Sequence, residues 1–176
     1  YQNITVNIWM KTMLFNPPVQ YNTGSGLFTN TATANDGNFG IYEGGYEATR
    51  KLYIKSACGG SQIGKLEGAG GISVNDGDWH YLSYAYKATG PYNDFSTPFD
   101  LDLYVDAENQ YSAAGVTAGY WRRWIVIEDI AKQGGGFSGA KNPQFPGEIG
   151  AIHIYNRKLP QSEVLYNYNA LKGRFT

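Results

Sequence analysis

The stretch Asn75-Asp76-Gly77-Asp78-Trp79-His80-Tyr81-Leu82-Ser83-Tyr84-Ala85-Tyr86 limits what this chain can fold into more than any other. It opens on a turn signal, because glycine takes a positive φ without steric cost, and Asn and Asp bond their own backbone there. From Trp79 onward the residues alternate. Trp79, Tyr81, Ser83 and Ala85 fall on one face; His80, Leu82, Tyr84 and Tyr86 fall on the other. A period of two with aromatics on both faces predicts a strand covered on both sides, in the middle of a layered sheet structure rather than at its margin.

Other runs repeat the pattern. Ile4–Lys11 places Ile4, Val6, Ile8 and Met10 on one face and Trp9 on the other. Gly26–Thr29, Asn38–Glu43 and Lys51–Lys55 are shorter. Phe99–Asp106 predicts a buried face of Phe99, Leu101, Leu103 and Val105 and a wet face of Asp100, Asp102, Tyr104 and Asp106. Tyr120–Ile127 and Gly147–Tyr155 complete the set. Gly, Pro, Asn and Asp clusters separate these runs at the spacing of a sandwich or barrel. One helix is predicted after Leu159. Pro160 sits in its first turn, Glu163 near its positive dipole end, and Gly173 at its cap, while Val164, Tyr168 and Leu171 share an apolar face. The expectation is an all-β fold with one short C-terminal helix. Composition agrees: charged residues are 16%, against roughly 25% in ordinary soluble chains, and 15 Tyr and 23 Gly suit pleated strands and turns.

The charge balance excludes several partners. A net charge of −1 leaves no cationic surplus to neutralise phosphates, so nucleic acid is not expected. No polybasic patch addresses a membrane surface, and no apolar run approaches the roughly 20 residues of a spanning helix. Cys58 is the only cysteine, which removes an internal disulfide and any Cys-x-x-Cys motif. Gly134-Gly135-Gly136 lacks the Lys-[Ser/Thr] of a phosphate-binding loop and reads as a flexible connection. His80 and His153 are the only histidines, both lie within strand patterns, and no Gly-x-Ser-x-Gly elbow accompanies them.

Several segments, in order, resemble one family. Thr5-Val6-Asn7-Ile8-Trp9-Met10-Lys11 is similar to the early strand of laminin-G-like domains. Asp76-Gly77-Asp78-Trp79-His80-Tyr81-Leu82 is similar to their Asp-Gly-x-Trp-His centre, and Leu103-Tyr104-Val105-Asp106 to their Leu-Tyr-Val-Asp-Gly strand and hairpin. Gly147 to Phe175 resembles their closing strand, Tyr-Asn-Arg-x-Leu turn and short helix. Together these resemble the concanavalin A-like lectin/glucanase superfamily over nearly the whole chain, 1–176. The resemblance implies a jelly-roll sandwich of two curved antiparallel sheets, with roughly 10–14 strands. Ala107 stands where the family has a hairpin glycine, so a different turn is expected. The family's strand before the Trp9 segment is missing. That absence predicts the C-terminal part of a longer chain, with the edge beside Ile4–Met10 open or filled by another part of the parent. Glu163 to Phe175 further resembles the C-terminus of laminin-G-like domains on virion proteins of tailed bacteriophages, which implies a place at the particle surface.

Part of the superfamily cleaves glycosides. Retaining cleavage needs two carboxylates about 5–5.5 Å apart, and the family's enzymes supply them in Glu-x-Asp-x-x-Glu or Glu-x-Asp-x-Glu motifs. Neither motif is present, so no enzyme is expected. Sugar binding is the family role that remains. It requires an aromatic plate and a few convergent polar groups. Tyr92, on the loop from Ala88 to Pro98, and Tyr120, Trp121 and Arg122 are the candidate contacts. Calcium is the plausible ion, with Asp36, Asp76, Asp94 and Asp106 as candidate ligands; the alternative is that these Asp residues only serve turns. The leading reading is a non-enzymatic binding module of a phage virion protein, on a capsid or tail fibre, recognising host surface glycans. The alternatives are a structural virion protein that contacts neighbouring subunits or copies of itself, and a divergent glycoside hydrolase.

Overall fold

A computed structural model of the chain describes residues 2–12, 25–29, 38–43, 53–57, 74, 76–88, 98–116, 129–130 and 147–175. Among them are nine strands and one helix: β1 Asn3–Thr12, β2 Ser25–Thr29, β3 Asn38–Glu43, β4 Tyr53–Ala57, β5 Trp79–Ala88, β6 Phe99–Val105, β7 Glu108–Val116, β8 Asp129–Ile130, β9 Gly147–Tyr155 and α1 Gln161–Lys172. They form two antiparallel sheets, ordered β7-β6-β5-β1-β9 and β4-β3-β2-β8, the two layers of a jelly-roll sandwich. The predicted strand Tyr120–Ile127 lies outside the described residues.

The alternating stretch at Trp79 becomes the central strand of the five-stranded sheet, with β1 on one side and β6 on the other. Both its faces are buried, for different reasons. Leu82, Tyr84 and Tyr86 join Ile4, Val6, Ile8 and Met10 of β1 and the Phe99, Leu101, Leu103 and Val105 face of β6 in the main core. Trp9, Tyr81, Ala85 and Tyr104 face the opposite way and are covered by Leu159 and by Val164 of α1, with Tyr168 and Leu171 beside them. Alternation on one sheet thus serves two apolar layers.

Several expectations change. β1 is not at a margin: β5 and β9 pair on its two sides, so no edge is left open beside Ile4–Met10. The face of β6 read as wet is largely covered. Tyr104 is buried, and Asp102 forms a half-buried ion pair, 2.7 Å from Lys158 Nζ, because the segment leading into α1 crosses it. β7 carries few large apolar residues, and alternation did not predict it; it forms because it folds back on β6 through Asp106-Ala107. That hairpin remains a two-residue turn despite Ala107. Asp106 and Ala107 take φ of 51° and 66°, the left-handed pair that a tight hairpin needs.

The helix start also differs in detail. Pro160 is the N-cap rather than a first-turn residue, and its carbonyl accepts the N–H groups of Glu163 and Val164. Gly173 closes α1 in a right-handed conformation, so its freedom to adopt positive φ is not used. Thr5 fixes the connection from below: its hydroxyl donates to the Arg157 carbonyl at 2.8 Å and accepts the Leu159 N–H at 2.9 Å.

Candidate functional site

The first cluster grows from the Asp76-Gly77-Asp78 turn. Gly77 has φ of 92°, which only glycine adopts freely, and Asp76 Oδ1 accepts the Asp78 N–H at 2.9 Å. The turn delivers Asp76 to one ring nitrogen of His80, with Nε2 at 3.1 Å from Oδ1 and 3.2 Å from Oδ2. The β6–β7 turn delivers Asp106 to the other, with Nδ1 at 2.8 Å from Oδ2. The second oxygen of Asp106 accepts the Tyr81 N–H at 2.9 Å. The hydrogen bond from Asp106 lifts His80 above the ordinary imidazole range; burial opposes this, and Asp76 adds to it. Burial pushes Asp76 upward, but the Asp78 N–H and His80 outweigh it and hold the carboxyl below its usual range.

This arrangement is ill suited to proton transfer. A catalytic base needs a free nitrogen facing substrate, and both nitrogens of His80 face carboxylates. Among the described residues no group of three or more His, Cys, Asp or Glu gathers to hold a metal. Asp76 and Asp106, two of the candidate calcium ligands, are thus brought together around His80. Asp36 and Asp94 lie outside the described residues, as do Tyr92, Tyr120, Trp121 and Arg122.

The second cluster is a groove of about 390 Å³ beside the first. Trp9, Lys11, Asp78, Trp79, Asp106, Tyr168, Lys172 and Phe175 line it. Register explains the convergence: Trp9 pairs with Tyr81 and Lys11 with Trp79, so the end of β1 meets the start of β5. Two residues of β9, Gly150 and Ala151, stand against the single Trp9, a bulge that makes room above Trp9. Phe175 fills that room. Its ring stacks on Trp9 at 4.7 Å and tilts against Trp79 at 4.9 Å. Tyr168 stacks on Trp9 at 5.5 Å and carries the Lys172 ammonium 5.2 Å from its ring centre.

The groove brings aromatic faces, two ammonium groups and two carboxylates to one place. Its volume is within the range of about 300–1,000 Å³ usual for small-ligand sites. Alternation alone did not single out Lys11, Trp79, Lys172 and Phe175 as neighbours. The usable signal was the adjacency of the Trp-His pair to a turn and of Phe175 to the helix end; the pairing register was not readable.

A laminin-G-type family model, described as the concanavalin A-like lectin/glucanases superfamily, matches residues 1–165. No curated protein matches the chain. Among solved structures, domain 4 of AbnA, a GH43 extracellular arabinanase from Geobacillus stearothermophilus in complex with arabinotriose, is similar at 14% identity and a TM-score of 0.52, covering 94% of this chain and 66% of that one. The native heptameric SAP-like pentraxin from Limulus polyphemus is similar at 16% identity and a TM-score of 0.55, covering 93% and 68% respectively. A mutant Trypanosoma rangeli sialidase displaying trans-sialidase activity matches at 15% identity and a TM-score of 0.55, covering 99% of this chain but only 24% of the sialidase. At such identities the likeness is one of fold.

Proposed function

We propose that this chain, which belongs to the concanavalin A-like lectin/glucanases superfamily, is a non-enzymatic carbohydrate-binding module whose sugar lies in the groove between β1, β5 and the end of α1. The observation that carries this reading is the convergence of Trp79, Phe175, Lys11, Lys172 and Asp78 on one opening. Aromatic faces pack against the C–H side of a sugar ring, and ammonium and carboxylate groups bond its hydroxyls. A domain of similar fold with bound arabinotriose supports the class of ligand. The occupied state of both Asp106 oxygens and both His80 nitrogens supports binding without turnover. In this reading the module stands at a phage particle surface, as the sequence resemblance at Glu163–Phe175 suggests, and its ligand is a host glycan.

The test is a glycan array followed by calorimetric titration of each hit. Saturable binding that is lost in Trp79→Ala and weakened at least tenfold in Lys11→Ala, with both variants folded by circular dichroism, is the expected result. Binding that neither substitution alters would move the site elsewhere. A reducing-sugar assay showing sustained turnover would end the non-enzymatic reading.

A second reading, a structural virion component that contacts other subunits, is favoured by two large apolar residues on the outward side of α1, Leu165 at 46% and Tyr166 at 73% exposure. Sedimentation of the wild type against Tyr166→Glu separates the two. A self-associated wild type that becomes monomeric in the variant, with no glycan bound, selects the structural role.

A further inference from the structure

Beneath α1, on the outer face of the five-stranded sheet, four neighbouring side chains pose a hydrogen-bonding problem. Register sets Asn7 opposite Ser83 and Trp9 opposite Tyr81, so all four project from β1 and β5 toward the helix. None is more than 2% exposed. The Asn7 Oδ1 and Nδ2, the Trp9 Nε1, the Tyr81 hydroxyl and the Ser83 Oγ each lack a protein partner. Of the residues that cover this face, Leu159, Val164 and Leu171 are aliphatic; Tyr155 and Tyr168 carry hydroxyls, but neither hydroxyl partners any of the five atoms. Thr5, one step along the same face of β1, shows the contrast: its hydroxyl is satisfied by backbone on both sides.

Five buried polar atoms without partners would together cost as much as the whole net stability of an ordinary domain. The chain cannot fold dry around them. Their chemistry says what completes them. Donors and acceptors are mixed, none carries a charge, and no carboxylate is among them, so the complement is a neutral hydroxylic molecule rather than an ion. Burial pushes the Tyr81 hydroxyl upward and the nearby Tyr155 adds to this; Asn7 acts in the opposite sense, yet it stands outside hydrogen-bond geometry with that hydroxyl. A polar neighbour that is close but not bonded is where a bridging molecule fits.

We infer that the space between α1 and the β1/β5 face is a built hydration site, holding about two ordered waters that join Asn7, Trp9, Tyr81 and Ser83, each water with two to four polar partners. The hydroxyl chemistry is shared by water and by a small polyol reaching in past Trp9 from the groove; the enclosure of all five atoms favours water.

A high-resolution crystal structure grown and frozen without polyols is the direct test. Water density within hydrogen-bond distance of Asn7, Trp9, Tyr81 and Ser83 is the expected result. Direct bonds among these side chains with no density between them, or density that only an added polyol supplies, would overturn the inference. In solution, water-oxygen magnetic relaxation dispersion counts long-lived internal waters. The count should fall by about two, the number inferred above, in the triple variant Asn7→Leu, Tyr81→Phe, Ser83→Ala. An unchanged count in a folded triple variant would refute the site. If the triple variant does not fold, the wild-type crystal decides.

Discussion

Nδ1 of His80 stands 2.8 Å from Oδ2 of Asp106, while the opposite ring nitrogen faces Asp76. Carboxylates only accept, so both nitrogens donate at once only when the ring is protonated, and the geometry favours the imidazolium. A pKa raised above the ordinary 6.5 contributes stability that is complete below that value and is lost as pH climbs through the raised one. Asp76, held below the ordinary 3.8, contributes stability that is present above that value and is lost as pH falls through the lowered one. Melting temperature should therefore peak between about pH 4 and pH 6.5 and decline on the alkaline side. Scanning calorimetry of the wild type and His80→Gln checks this. The alkaline decline should flatten in the variant, and an identical slope in both would show that the pair does not control it.

The turn at Asp106-Ala107 makes a separate prediction. Ala107 sits at φ 66° and is 2% exposed. Replacing it with glycine relieves left-handed strain of about 1–2 kcal/mol. It also removes a buried methyl worth about 0.8 kcal/mol and adds about 0.5–1 kcal/mol of backbone entropy cost. Ala107→Gly should stay within about 1 kcal/mol of wild type in urea unfolding, since these terms nearly cancel. Ala107→Val, branched at a left-handed position, should lose about 1–3 kcal/mol.

Gly150 is required by its neighbour across the bulge. A Cβ there would lie 2.4 Å from Cε1 of Phe175 and 3.2 Å from Cζ3 of Trp79. Gly150→Ala should destabilise the fold by about 1–3 kcal/mol by displacing the Phe175 ring from Trp9. In a Phe175→Ala background the same substitution should cost far less, and a double-mutant cycle measures the coupling. Equal costs in both backgrounds would show that Phe175 is not what the methyl meets.

Thr5 holds the segment before α1 to the middle of the sheet. Thr5→Val leaves the buried Leu159 N–H and the Arg157 carbonyl without this partner, and should cost about 1–3 kcal/mol in chemical unfolding. Thr5→Ser keeps the hydroxyl and should restore most of the loss. If serine fares no better than valine, the methyl rather than the hydrogen bonds is what matters.

Strand positions and faces were legible in the sequence because side-chain direction along a strand is local. Trp79 to Tyr86 needed no partner to show that both its faces are buried, and Ile4 to Met10 showed its core face in the same way. Local spacing also gave the helix and its inward residues Val164, Tyr168 and Leu171. What covers each face is not local. Only the folded chain laid the segment from Arg157 to Leu159 over Tyr104, Asp102 and Thr5, and turned a face read as wet into a second apolar layer. The candidate site belongs to the same category. Asp106 reaches His80 through the pairing of β5 with β6, and Phe175 reaches Trp9 through a bulge in β9, relations set by register and layer packing between distant segments. Alternation tells each strand which side is apolar; it carries no record of which remote side chain will arrive there.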